Sequence, residues 1–130
     1  MARSTRLFSD LDFNFTAHPV TKDVARRYDE NAIKASVKHL LLTKNYERPF
    51  HSEIGSPIRA LMFEPATPLL EVSLRRAVID TITNFEPRVE IIDVQVFDQS
   101  DNNSVQITLI FKIVNTSRPI QLDLVLERTR

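Results

Sequence analysis

Hydrophobic positions along this chain change their period twice, and each change marks a different kind of element. Leu11, Phe13 and Phe15 alternate with Asp12 and Asn14, the two-residue repeat of an extended segment with one face to cover. His18-Pro19 interrupts that segment, with His18 expected as a turn residue. Over residues 29–43 the spacing lengthens: Ile33, Val37, Leu40 and Leu41 recur at helical intervals, and Asp29 stands where a side chain accepts the first free amides of a helix. The run ends within Lys44-Asn45-Tyr46-Glu47-Arg48-Pro49-Phe50, because a residue before proline is pushed out of the helical region. A loop follows through Gly55 to Pro57, and residues 58–63 have room for one or two short turns. A second helix starts at the corner Pro65-Ala66-Thr67-Pro68, with Thr67 as its cap and Pro68 in the first helical position. Its buried stripe is Leu70, Leu74, Val78, Ile82 and Phe85, while Glu71, Arg75, Arg76, Asp80 and Asn84 fall largely away from it.

Beyond Glu86-Pro87-Arg88 the period drops to two, and Val and Ile become frequent, as half-buried strands require. A first strand covers residues 89–97; its phase slips at Ile91-Ile92, which fits either a bulge or burial on both faces. A second strand sets Val105, Ile107, Leu109, Phe111 and Ile113 against Gln106, Thr108 and Lys112. A third repeats the pattern through Ile120, Leu122, Leu124 and Leu126. The polar links, residues 98–103 and 115–118, are short enough to join antiparallel neighbours. Helices first and strands last is the α+β order. The expected fold is two main helices packed on one face of a C-terminal antiparallel three-stranded meander, with an extended N-terminal arm, in a single domain over residues 1–130.

Composition narrows the function. With 42% hydrophobic residues, 130 residues suffice for one core. The 17 basic and 17 acidic side chains cancel, so no net field draws nucleic acid or an anionic membrane, and neither is an expected partner. The absence of cysteine excludes disulfides and thiolate metal sites. No apolar run follows the arginines near the start, and none reaches 18 residues; a soluble protein made in the cytoplasm is expected. Gly55 is the only glycine, which disfavours folds that cradle nucleotides with glycine-rich loops.

Candidate chemistry is sparse. His18, His39 and His51 are separated by 21 and 12 residues, matching no metal-ligand spacing, and His39 suits a core or rim position on its helix; no metal and no cofactor is expected. There is no serine elbow and no phosphate loop, so nucleophilic catalysis lacks a candidate. A glycosidase needs two carboxyl groups about 5 to 9 Å apart, one of them protonated. Glu64, Glu71 and Glu86 are the candidates, but an arginine two residues from Glu86 favours its charged form, the wrong state for a general acid. Arg26-Arg27 and Arg75-Arg76 are short pairs that suit solvated faces better than a nucleic-acid stripe. No enzymatic activity is expected.

Asn84-Phe85-Glu86-Pro87-Arg88-Val89, at the helix-to-strand junction, resembles the signature of the baseplate wedge, or sheath-initiator, family of contractile phage tails, which includes a type VI secretion baseplate component. Further stretches are similar to that family: His18-Pro19-Val20-Thr21-Lys22-Asp23-Val24 to its leading turn, residues 32–43 to its first helix, Arg48-Pro49-Phe50 with Glu53-Ile54-Gly55-Ser56 to its central loop, and Leu61-Met62-Phe63-Glu64-Pro65 to the segment after it. Ile54 departs from the pattern, standing where an aromatic residue is common. The resemblance implies a structural subunit of the virion tail baseplate, with about six copies in a ring around the tail tube, serving as the platform on which the contractile sheath starts to assemble. Its implied partners are other wedge subunits and the tail sheath protein. The lysozyme-like label also attached to the family leaves a cell-wall hydrolase as the alternative. Two contacts are expected on physical grounds. The third strand, with its charged end Glu127-Arg128-Thr129-Arg130, offers an edge for strand addition by a sheath segment. Glu86, Pro87 and Arg88 are the candidate partner-binding residues, either docking a neighbouring subunit or closing an internal ion pair at the corner.

Overall fold

In the computed structural model, residues 7–114 and 116–128 are described; residues 1–6, Asn115, Thr129 and Arg130, and with them parts of the second polar link and of the charged C-terminal end, lie outside that set. Contacts gather into two units, residues 1–36 and 37–130.

In the first unit, the expected alternating arm is replaced by a short hairpin. Strand β1 (Ser9–Leu11) pairs antiparallel with β2 (Arg26–Tyr28), in a register that sets Ser9 opposite Tyr28 and Leu11 opposite Arg26. The alternation of residues 11–15 does not make one strand. The Phe15 amide donates to the Asp12 carbonyl at 3.0 Å and Phe15 takes a left-handed φ of 52°, which turns the chain and removes the common face. Leu11, Phe13 and Phe15 are exposed, and it is Asp12 that is buried, its Oδ1 accepting from Arg27 Nε at 2.8 Å. His18 is a turn residue as expected: its Nδ1 accepts from the amides of Val20 and Thr21, and its carbonyl from that of Lys22. Helix α1 (Asp29–Leu42) begins in this unit and ends in the other. Asp29 does not cap it in the expected way, because its Oδ1 takes the amides of Leu7 and Phe8 at 2.9 and 3.1 Å. The carboxylate thus ties the chain before β1 to the start of α1.

A hydrogen bond from the Thr16 side chain, reinforced by Arg27, holds the Asp12 carboxyl below the usual carboxylate range. A depressed acid contributes stability that is present above its unfolded value, about 3.9, and lost as pH falls through its lower folded value. Amide protection at Asp12 and Ala25, measured relative to the intrinsic exchange rate, is therefore expected to fall selectively as pH drops below about 4, and Asp12→Asn to remove that pH dependence. A uniform loss of protection across both units would contradict it.

In the second unit, α1 buries Val37 and Leu41, with Leu40 half-buried. The loop after it is closed by Ser56, whose Oγ donates to the Leu41 carbonyl at 2.6 Å and whose amide donates to that of Thr43 at 2.9 Å. Gly55 is required here. A Cβ at this position would lie 2.6 Å from the Lys44 carbonyl oxygen, so the loop ends meet closer than any side chain allows. Helix α2 (Ile58–Leu61) is the expected short turn. Helix α3 (Pro68–Phe85) has Thr67 at its N-cap and Pro68 in its first turn, but the Thr67 hydroxyl makes no capping bond. Leu70, Leu74, Val78 and Ile82 are buried as the stripe requires, joined by Ala77 and Thr81.

Strands β3 (Val89–Gln99), β4 (Ser104–Ile113) and β5 (Pro119–Glu127) form an antiparallel sheet in that order, with a 3-10 turn at Ser100–Asn102 and left-handed Asn103 closing the first hairpin. The phase slip at Ile91-Ile92 is a bulge: the register shifts between Ile91 and Asp93, leaving Ile92 unpaired and half exposed. Val105, Ile107, Leu109 and Phe111 are almost wholly buried and face Leu126, Leu124, Leu122 and Ile120 across the second pairing. Each such side chain contributes about 1.5–3 kcal/mol by leaving water. Helix α3 packs on β3, and α2 packs on α3. The architecture is α+β with a three-stranded C-terminal meander, as expected.

Candidate functional site

Two features of the second unit have the geometry of contact sites: the junction between α3 and β3, and the free edge of β5. At the junction, the helix ends because Pro87 cannot supply the amide that would continue it. The Glu86 amide still donates to the Ile82 carbonyl, and Val89 donates back to the Glu86 carbonyl at 3.3 Å, so residues 86–89 form a tight turn with proline in its favoured second place. Two residues of spacing across this turn bring the side chains together. Arg88 Nε donates to Glu86 Oε1 at 2.6 Å and Nη2 to Oε2 at 2.9 Å, a bidentate fork. The Glu86 side chain is 5% exposed and that of Arg88 34%. The pair is internal in this chain, with the carboxylate inside and part of the guanidinium at the surface. The Arg88 carbonyl accepts the Val114 amide at 2.9 Å, which anchors the turn to β4.

The edge of β5 follows from ladder parity. The Arg128 amide donates to the Asn103 carbonyl at 2.8 Å, so Arg128 and every second residue before it point their backbone groups at β4. The amides and carbonyls of Gln121, Asp123, Val125 and Glu127 therefore point away from the sheet, and no strand among the described residues pairs with them. The side chains of those residues lie on the sheet's polar face, where Asp123 Oδ1 accepts from Thr108 Oγ1 at 2.8 Å and both its oxygens accept from Gln121 Nε2. These bonds fix the side chains and leave the backbone edge open. The other edge, on β3, is less suited to pairing: the bulge interrupts it, and α3 flanks it, with Arg75 Nη2 3.4 Å from Asp93 Oδ1 beside a groove of about 490 Å³. Strand β5 has nine residues in unbroken register.

Of the carboxylates considered for hydrolysis, Glu64 and Glu71 are exposed on the second unit's surface, and both oxygens of Glu86 are held by Arg88. His51 sits in the loop after α1, 3.4 Å from Glu53. The backbone amide of Glu53, with His51 beside it, holds that carboxyl below its usual range, an exposed local pairing to which no further ligand group is added among the described residues. Sequence inspection missed the cationic side chains that gather at the end of β5, Lys44, Arg59 and Arg128. They lie far apart along the chain, and only the fold joins them.

An α+β module with an open sheet edge and, among the described residues, no assembled reaction centre is the class these features define. The chain belongs to the family described as baseplate wedge protein gp25, whose model matches residues 27–118. It is a structural baseplate subunit. Baseplate wedge protein gp25 of Enterobacteria phage T4 is 28% identical over 121 residues, covering 93% of this chain and 91% of that protein. Among solved structures, a putative tail lysozyme from Geobacter sulfurreducens shares the fold with a TM-score of 0.70 and 18% identity, over 75% of this chain and 89% of that one. A chain of the anti-feeding prophage baseplate does so with a TM-score of 0.65 and 21% identity, over 91% of this chain and 83% of that one.

Proposed function

We propose that this subunit works as the platform on which a contractile tail sheath begins to assemble, by accepting an extended segment of the sheath protein along the free edge of β5. The observation that carries the proposal is the row of unpaired backbone groups at Gln121, Asp123, Val125 and Glu127, on a strand without a bulge. Asp123 and Glu127 give the edge a charge that discourages pairing with arbitrary strands, as protected edges in soluble proteins do. Several copies act together in a ring of about six around the tail tube, in line with the six-fold symmetrised prophage baseplate. The site of action is the virion tail baseplate, after synthesis in the host cytoplasm. Proline substitution at outward-pointing residues of β5, with sheath assembly on complemented baseplates as the readout, tests the proposal.

Neighbouring wedge subunits dock at Glu86-Pro87-Arg88 in the same proposal. The bidentate pair holds the Arg88 guanidinium in one plane at the surface of the turn, where its partly exposed edge can meet an acceptor on the neighbour.

No hydrolytic role belongs to this chain in our reading, although one structural neighbour is called a putative tail lysozyme. A general acid must be protonated, and a carboxylate gripped at both oxygens by a guanidinium is held in its charged form. Purified protein is expected to leave the turbidity of a peptidoglycan suspension unchanged. Clearance that disappeared in Glu86→Gln would establish the hydrolase instead.

A further inference from the structure

Building on the strand-addition proposal, we infer that the end of β5 selects an acidic partner: the added segment carries carboxylate side chains where it passes Lys44, Arg59 and Arg128. Beyond Val125 the open edge runs into a groove of about 440 Å³ with Met62 and Phe63 in its wall. Phe63 is 75% exposed and presents an apolar surface in the wall beside the edge. Among the described residues, three cationic side chains line this groove and one anionic one, Glu127. Among the described residues, the Lys44 ammonium and the Arg59 guanidinium make no ion pair.

Arg128 adds an independent sign of incomplete compensation. Its Nη2 lies 3.9 Å from Asp98 Oδ1, beyond hydrogen-bond reach, and neither that oxygen nor Arg128 Nε or Nη2 has a hydrogen-bond partner among the described residues. A largely buried cation without full pairing is costly to keep, and its field extends into the groove beside it. An incoming chain that bonds to the backbone of Val125 and Glu127 carries its next side chains into this field. A carboxylate there meets the Lys44 and Arg59 charges, which no ion pair among the described residues neutralises, and Arg128, which Asp98 at 3.9 Å compensates only in part, while an adjacent apolar side chain covers Phe63. The apolar wall and the adjoining backbone edge favour a polypeptide over a free phosphate group.

The test uses the full chain, isotopically labelled, with three blocked nine-residue peptides that alternate valine and threonine and carry two Glu, two Gln or two Lys in place of two threonines. Exposed pairs are individually weak, so the Glu peptide is expected to bind about tenfold more tightly than the Gln peptide, with the Lys peptide weakest. Binding should shift the amide signals of Gln121, Asp123, Val125 and Glu127. In the variant Lys44→Gln/Arg59→Gln, both exposed positions, the preference for Glu should collapse while Gln-peptide binding holds. Equal binding of the Glu and Gln peptides, with the β5 amides shifting, overturns acid selection and leaves strand addition standing. If no peptide shifts those amides, both proposals fall. If inorganic phosphate displaces the Glu peptide and produces the same shifts, the groove binds anions in general and the inference is overturned.

Discussion

Arg88→Ala is expected to lower the unfolding free energy by about 2 kcal/mol, and the melting temperature of this 130-residue chain by about 8 °C. Truncation withdraws two charge-assisted hydrogen bonds from a carboxylate whose side chain is 5% exposed. Removing one member of a fully buried pair costs about 3–5 kcal/mol, and the partial exposure of Arg88 reduces that figure because water already screens its outer side. The loss falls at the turn that joins α3 to the sheet, so amide protection should drop first at Val89 and Val114, whose bonds close that turn. Arg88→Lys separates geometry from charge: an ammonium keeps the charge and loses the fork, so roughly half of the loss is expected. A double-mutant cycle with Glu86→Gln should show strong coupling between the two positions. A cost below about 0.5 kcal/mol for Arg88→Ala would mean that the pair does not fix the corner, and would leave docking of a neighbouring subunit as its sole role. If the variant is destabilised by the expected amount yet joins wedges normally once folded, the docking proposal fails and the structural role stands.

The sheet was legible in the sequence because its determinant is local. In β4 every second residue is a large apolar one, and a one-residue slip would send Ile107, Leu109 and Phe111 to the polar face, so a single register satisfies the pattern. The same logic recovers α3, where the stripe from Leu70 to Ile82 leaves one way to bury it. The pattern at Ile91-Ile92 was ambiguous because a bulge and burial on both faces both place two apolar residues in succession. The N-terminal hairpin was not legible. Its alternation is written in Leu11, Phe13 and Phe15, but the structure is governed by the Asp12–Arg27 pair across 15 positions, a contact that periodicity does not register. Asp29 misled for a related reason: a carboxylate before a helix serves any nearby amides, and those of Leu7 and Phe8 arrive from outside the helix. At the candidate site, the Glu86-Arg88 pair was accessible from sequence because a two-residue turn forces the meeting. The groove at the end of β5 was not, since Lys44, Arg59 and Arg128 share no local pattern. Asp98 did leave a trace, in phase with the inward residues Val94 and Val96, as an acid on an apolar face in need of a cation.

Proline at the outward-pointing positions of β5 should separate folding from assembly. In Gln121→Pro and Val125→Pro the lost amide takes no part in pairing with β4, so the fold is expected to survive with at most about 1 kcal/mol of cost from the altered backbone angle. Both side chains are exposed, and neither is part of the core. The control is Leu124→Pro, which removes an amide that points at β4 and a buried leucine together; a loss of about 3 kcal/mol or more is expected there. The effect on assembly runs the other way. Under the strand-addition proposal, each missing amide deletes one bond to the incoming segment, worth about 1 kcal/mol, and the double variant Gln121→Pro/Val125→Pro should weaken that contact by about 30-fold even before steric exclusion by the rings. Baseplates complemented with this variant should carry few sheaths in electron micrographs while still incorporating the subunit. The sign of the contrast decides the matter, because a core defect lowers incorporation and sheath number together, whereas loss of an open edge lowers sheath number alone. Normal sheath numbers on baseplates that contain the double proline variant would show that the sheath attaches elsewhere.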